Sequence, residues 1–158
     1  MKRLIVFSVF AILAACASPY QKDGLGGGYS ETQLSENVFK VSFRGNGYTS
    51  SDRATDMALL RSAEVSLENG FKYFAVIDEK NSASYGSYTT PTTTNASVTV
   101  YGNSAYGTAT TYGGQTFLVT KPRSTNLIAC FKEKPDDVYT FDAEFLSKSL
   151  RKKFGLGK

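Results

Sequence analysis

The turn Gly45-Asn46-Gly47 is the first place where residue types and spacing could support chemistry. It precedes three hydroxyl residues, Thr49–Ser51, and an alanine- and leucine-rich segment typical of a helix. Glycine loops that open a helix present backbone N–H groups to phosphate, so an anion site at this helix N-terminus is one interpretation. The segment lacks the lysine of a phosphate-binding loop, which favours the alternative that it only turns the chain and caps a helix.

The titratable residues form no recognisable catalytic set. The sequence contains no histidine, which removes the commonest general base and a common metal ligand. The adjacent carboxylates of Asp78-Glu79 and Asp136-Asp137 should point apart, and Cys130 stands in an apolar run that favours a small buried residue. We therefore predict no catalytic residue, no metal site and no cofactor, and a hydrolase-like enzyme is the least favoured function class.

The first sixteen residues indicate export and lipidation. Lys2-Arg3 precedes an apolar run, Leu4–Ala15, which is too short to cross a bilayer core of about 30 Å and matches a secretory signal peptide. The run ends in "LAAC", which resembles the lipobox of bacterial lipoproteins. This resemblance implies cleavage before Cys16 and attachment of lipid, including palmitate, to that residue. An ordinary signal peptide that ends in cysteine is the alternative interpretation.

The residues after the predicted cleavage site indicate which membrane holds the protein and how far the folded part can extend from it. Ala17 stands where aspartate would favour retention in the inner membrane, so the resemblance implies the outer membrane, with the folded part facing the periplasm. Residues 16–30 are rich in glycine and predict a flexible tether with a reach of about 20 Å. Removing residues 1–15 lowers the formal net charge from +4 to +2, and this small excess predicts no nucleic-acid partner.

Hydrophobic patterns predict the strands. Apolar and polar residues alternate over Asn37–Arg44, which is typical of a half-buried strand, whereas Phe71–Asp78 is apolar at most positions and is typical of a central strand. Two further strands are predicted at Thr116–Thr120 and Asn126–Lys132, joined by a hairpin through residues 121–125.

Two helices are predicted from their start and stop signals. The first begins near Thr49–Ser51 and ends at Gly70, and the second begins after an N-cap at Asp142 and ends at Gly155. The sheet-facing side of the first helix is expected to consist of Leu59, Leu60, Ala63 and Leu67. A second apolar strip on that helix, formed by Ala54, Ala58 and Val65, suggests that the second helix covers it. Arg61 is placed to pair with Glu64 or Glu68, or to remain solvated.

Residues 81–115 form the most unusual segment. It contains no charged side chain, and 24 of its 35 residues are Ser, Thr, Tyr or Gly, which predicts a long irregular hairpin or a mobile arm. Its five tyrosines could stack on sugars or anchor a protein partner, and the alternative is a solvated insertion between core strands. These candidate binding residues are Tyr85, Tyr88, Tyr101, Tyr106 and Tyr112.

The order of motifs between Gly28 and Phe74 carries a family resemblance. The segments "GYSE", "FKVSFRGNGYTS", "RATDMALLRSAEVSLENGF" and "KYF" follow one another there. In this order they resemble a small family of proteobacterial lipoproteins of unknown function. The resemblance implies a lipobox, a strand that ends in a Gly-Asn turn and a helix that closes at glycine, and it implies no activity and no residue roles.

Together these patterns predict an α+β fold. We expect one domain, residues 31–158, with a mainly antiparallel sheet of three to five strands and two helices packed on it, preceded by the signal peptide (1–15) and the tether (16–30). The favoured function is a non-catalytic, lipid-anchored envelope lipoprotein with a structural or partner-binding role. The alternative is a glycan- or small-ligand-binding module that uses the tyrosine-rich segment 81–115.

Overall fold

The computed structural model describes residues 17–157, which form two helices and seven strands. The predicted signal peptide and the predicted lipidation site, Cys16, lie outside the described residues. The chain divides into two compact units: a first unit that runs up to Ser84 and resumes at Thr120, and a second unit, Tyr85–Val119. The helices are α1, Ser51–Glu68, and α2, Ala143–Phe154; the strands are β1, Gly28–Ser35, β2, Val38–Arg44, β3, Tyr73–Thr89, β4, Thr93–Tyr101, β5, Ser104–Tyr112, β6, Thr116–Phe131, and β7, Phe141–Asp142.

The first unit is built on a sheet with the strand order β1-β2-β6-β3-β7. Strand β2 pairs antiparallel with both β1 and β6, and β7 pairs antiparallel with β3. Helix α1 packs on β1 and β2, and α2 packs on α1 and contacts the sheet at β7. The predicted α+β class, with a mainly antiparallel sheet and two helices packed on it, is therefore confirmed.

The core lies between this sheet and α1. Alternate residues of β2, which include Phe39, Val41 and Phe43, are almost completely buried, as the sequence pattern predicts. From β6, Ile128 and Cys130 reach the same core. Cys130 is thus a small buried core residue, in agreement with the prediction, and burial raises the pKa of its thiol.

Helix α1 approaches the sheet closely because small residues recur along one side of it. Ala54, Ala58, Ser62 and Ser66, spaced four apart, are all buried. The Ser66 hydroxyl lies 3.2 Å from the Cys130 sulfur, which places this row against β6. The prediction for Leu67 is wrong, because this residue of the last turn is 39% exposed and lines a cleft, whereas Val65 occupies the core.

The predicted helix ends are confirmed. The Ser50 hydroxyl accepts a hydrogen bond from the Arg53 amide, and the Asp142 carboxylate accepts one from the Phe145 amide. Gly155 ends α2 in the left-handed conformation, which a glycine adopts without steric cost.

The hairpin predicted over residues 121–125 is wrong. Strand β6 runs without interruption through this segment, because residues 123–129 pair with β2 along its whole length. The Pro122 carbonyl also accepts a hydrogen bond from the Gly45 amide, just beyond the end of β2. The Lys-Pro-Arg sequence therefore lies within a strand rather than in a turn.

The structure also differs from the tether predicted over residues 16–30, where it describes them. Ser18 is fully buried, and β1 already begins at Gly28. Gly27 has φ +91, and a Cβ there would lie 2.7 Å from the Ser18 hydroxyl. The glycines of this segment thus provide a tight turn packed against the first unit instead of flexibility.

The second unit contains a two-stranded sheet of β4 and β5. Strands β4 and β5 pair antiparallel from Thr93 and Tyr112 to Tyr101 and Ser104, and we call this hairpin the ribbon. At its base, the Thr90 amide donates a hydrogen bond to the Gln115 carbonyl. The hairpin predicted for residues 81–115 is present, and its strands are more regular than expected, since threonine, valine and tyrosine favour extended backbone.

Candidate functional site

A cleft of about 730 Å³ opens beside α1 in the first unit. Its lining includes Arg61 and Glu64 from α1, Arg151 from α2, Tyr29 from β1 and Tyr20 from the N-terminal segment. Four separate parts of the chain therefore meet here. Arg61 and Glu64 stand three residues apart, so both project from the same side of the helix.

The Glu64 carboxylate receives hydrogen bonds from three other residues. One of its oxygens accepts from the Tyr20 hydroxyl at 2.5 Å and from Arg61 at 3.3 Å. The other oxygen accepts two hydrogen bonds from Arg151, at 2.6 and 3.0 Å. The residue is only 9% exposed, and a buried carboxylate of this kind is costly unless it is paired with positive charge and hydrogen-bonded.

The Arg61 guanidinium is surrounded by three carboxylates. Besides Glu64, it donates two hydrogen bonds to Glu31 at 3.1 and 3.2 Å and two to Glu68 at 2.8 and 2.9 Å. Its charged carbon also lies 4.6 Å from the centre of the Tyr29 ring, within the range of a cation–π interaction. The two helix partners agree with the predicted pairing, and the contact with Glu31 fixes β1 to the helix.

Burial and hydrogen bonding change the pKa values of two residues in this cluster, Tyr20 and Arg61. Burial, followed by the hydrogen bond to Glu64, raises the pKa of the Tyr20 hydroxyl above its ordinary value. Burial alone lowers the pKa of Arg61, but its hydrogen bonds to Glu68 and Glu31 outweigh that effect and raise the pKa overall. Tyr20 therefore stays neutral and Arg61 stays charged, and both donate hydrogen bonds to the Glu64 side chain.

The hydrogen bonds of this cluster join the surrounding elements to one another and occupy its polar atoms. The Glu64 oxygens already accept hydrogen bonds, and the Tyr20 hydroxyl already donates one. A general base needs a free lone pair within reach of a substrate proton. The sequence did not predict the roles of Tyr20, Glu31 and Arg151. Their partners lie 44, 30 and 87 residues away along the chain, and no local sequence pattern indicates such distant pairs.

The turn that precedes α1 satisfies its own polar groups. Asn46 accepts hydrogen bonds on its side-chain oxygen from the Tyr48 amide at 3.0 Å and from the Thr49 hydroxyl at 3.0 Å. The Thr49 hydroxyl oxygen in turn accepts from the Ser18 amide. The residues that would cradle an anion are thus bonded to one another, and the turn-and-cap interpretation agrees with this geometry.

The five predicted binding tyrosines all lie in the second unit, and each is more than half exposed. The structure brings only three of them to one face. Tyr106 pairs with Thr99 and Tyr112 pairs with Thr93, so each tyrosine projects from the same side of the ribbon as its partner. Tyr101 lies an even number of residues from Thr93 and Thr99 along β4, so its ring projects from that side as well. Tyr85 and Tyr88 lie on β3, and their odd spacing points them to opposite sides.

The opposite face of the ribbon is largely apolar. Val98 and Val100, which are 67% and 66% exposed, share this face with Ala96, Ala105 and Ala109. Each face carries one pair of hydroxyls: Ser97 and Thr108 lie 3.0 Å apart on the tyrosine face, and Thr94 and Thr111 lie 2.9 Å apart on the valine face. The ribbon is thus an uncharged, two-faced element whose faces have different chemistry.

Comparison with known proteins provides no relative for this chain. No family model, no curated protein and no solved structure matches it.

Within residues 17–157, neither helix is long and apolar enough to cross a membrane.

The contacts of Glu64 predict how its substitution changes the free energy of unfolding. Glu64→Gln should lower the free energy of unfolding by about 3 kcal/mol or more, because Arg61 and Arg151 lose a buried counter-charge. The control Glu68→Gln should cost less than about 1 kcal/mol, since Glu68 is 55% exposed at its side chain. Urea denaturation followed by circular dichroism measures both, and equal costs would show that Glu64 has no central position.

Proposed function

We propose that this chain is a non-catalytic lipoprotein of the cell envelope, anchored by lipid on Cys16 and facing the periplasm from the outer membrane. The support for the anchor is the basic and apolar segment that ends in "LAAC", followed by alanine at position 17. The motif order between Gly28 and Phe74 is similar to that of proteobacterial lipoproteins. Both arguments come from the sequence.

A non-catalytic role is supported by the way the first unit uses its charged groups. Arg61 and Arg151 both donate to Glu64 in the cleft, and Lys153 pairs with Asp56 at 2.6 Å. Such groups stabilise the packing of α1, α2 and β1. A catalytic site instead leaves a nucleophile or base directed at an open position where a substrate can bind.

The partner-binding role rests on one observation, the exposed and uncharged ribbon. A two-stranded sheet without a covering layer is marginally stable in water. Here both of its faces carry large exposed side chains, tyrosines on one and valines on the other. Aromatic residues with a polar tip are the side chains that most often anchor protein partners. We infer that the ribbon is the element that binds an envelope partner.

Glycan binding by the tyrosine face is the second candidate function. Tyr101 and Tyr106 are diagonal neighbours at about 7–8 Å. Tyr112 lies six residues further along β5, or about 20 Å away. The hydroxyls of Ser97 and Thr108 stand between these rings. Ring faces at the ends and hydroxyls in the middle suit a linear, uncharged sugar chain laid along the ribbon.

The anchor is tested by substitution of the lipidation site. Cys16→Ala should abolish incorporation of labelled palmitate and release the protein from the membrane fraction into the periplasmic fraction. Ser18, which is buried two residues further on, is left unchanged so that the fold stays intact. Continued membrane association of the Cys16→Ala chain would contradict the lipoprotein assignment.

The role of the ribbon is tested with variants of its two faces. The triple variant Tyr101→Ser, Tyr106→Ser, Tyr112→Ser should lower recovery of a crosslinked envelope protein at least about tenfold, since each anchoring aromatic contributes about 2 kcal/mol or more. Val98→Thr with Val100→Thr on the opposite face is the matched control. The same variants are assayed for binding to purified peptidoglycan.

The outcomes separate the two functions. A defined crosslinked protein that depends on the tyrosines supports partner binding. Tyrosine-dependent sedimentation with peptidoglycan, without such a protein, supports the glycan alternative. Wild-type levels of both in the triple variant would show that the tyrosine face is only a solvated insertion.

A further inference from the structure

Ser18 fixes the N-terminal end of the described chain to the first unit. It is fully buried, and its amide donates a hydrogen bond to the Thr49 hydroxyl at 3.0 Å. Its own hydroxyl donates to the Gly26 carbonyl at 2.6 Å and accepts from the Asn46 amide at 2.8 Å. Two separate loops, residues 24–27 and 45–50, therefore hold Ser18 between them.

These two loops share an unusual composition. Neither contains a charged side chain. Each carries one large apolar or aromatic residue directed into solvent: Leu25 is 109% exposed and Tyr48 is 77% exposed. Leu25 immediately precedes Gly26, and Tyr48 immediately precedes Thr49, so both stand next to a residue that bonds to Ser18.

Covalent geometry links this surface to the anchor. Consecutive residues advance at most about 3.6 Å, so Cys16 can lie no farther than about 7 Å along the chain from Ser18. The loops around Ser18 are consequently the part of the first unit that must lie nearest to a lipid attached at Cys16. An exposed leucine would enter the acyl boundary of a bilayer, and an exposed tyrosine would sit among the headgroups.

We propose that loops 24–27 and 45–50 form a bilayer-docking surface, with Leu25 inserted below the headgroups and Tyr48 at their level. This inference rests on the proposed lipidation of Cys16 and adds an orientation to it. The first unit is held directly on the membrane by its anchor and these two side chains, rather than at the end of a flexible tether. The absence of charge in both loops lowers the cost of removing them from water.

The sequence contains no tryptophan, so a single introduced indole reports its own surroundings. Leu25→Trp and Tyr48→Trp are made in the full, lipidated chain, which is reconstituted into vesicles of phosphatidylethanolamine and phosphatidylglycerol. The control is Leu34→Trp, at the far end of β1, about 20 Å along the strand from Gly28. Leu34 is also exposed, at 56%, so all three substitutions fall on the surface and should leave the fold intact.

The measurement is quenching of indole emission by phospholipids brominated in the upper acyl chain. Leu25→Trp should lose more than about half of its emission and shift to shorter wavelength, as expected for a side chain at the acyl boundary. Tyr48→Trp should be quenched less, and Leu34→Trp should keep its emission in water. Equal, weak quenching of all three on vesicles that retain the protein would overturn the docking surface alone. Lack of lipid on the chain would overturn both the anchor and the docking surface that depends on it.

Discussion

The arrangement of the first unit depends on the hydrogen bonds that the Glu64 carboxylate accepts. This carboxylate receives hydrogen bonds from Tyr20 of the N-terminal segment, Arg61 of its own helix and Arg151 of α2. Arg61 extends the connection to Glu31 on β1. Because a buried ion without its partners is strongly destabilising, these elements must take their positions together. The glycine-rich segment before β1 is thereby joined to α1 through Tyr20.

The charged side chains of the cleft contrast with the uncharged surfaces of the ribbon and of the loops around Ser18. The ionised groups of the cleft are used to join α1, α2 and β1, whereas the ribbon and the loops around Ser18 carry no charge. Uncharged surfaces can leave water at low cost, whether they meet a protein, a sugar chain or a lipid headgroup. The first unit contains the residues that follow the proposed anchor, and the second unit carries the exposed tyrosines to which we assign the proposed binding role.

Local patterns predicted the elements whose stabilising contacts are near in sequence. The alternation in β2, the caps at Ser50 and Asp142 and the burial of Cys130 follow from neighbouring residues, and the α+β class follows from the order of elements. The same reasoning divided β6 at Pro122, because pairing with β2 outweighs the local turn signal. It predicted the pairing of Arg61 with Glu64 and Glu68, but it missed β1 and the contacts from Tyr20, Glu31 and Arg151, which are distant in sequence. It selected five tyrosines of the second unit but did not predict that only three of them share a face.

The central claim is that the residues just after the proposed anchor belong to the folded first unit. Amide hydrogen exchange of the Ser18 and Tyr29 N–H groups tests it directly, because these donate to Thr49 and to the Gln21 carbonyl. In the mature chain, we expect both amides to exchange as slowly as those of β2. Exchange at the rate of an unstructured peptide, with β2 still protected, would show instead that the segment is a free tether and not part of the folded first unit.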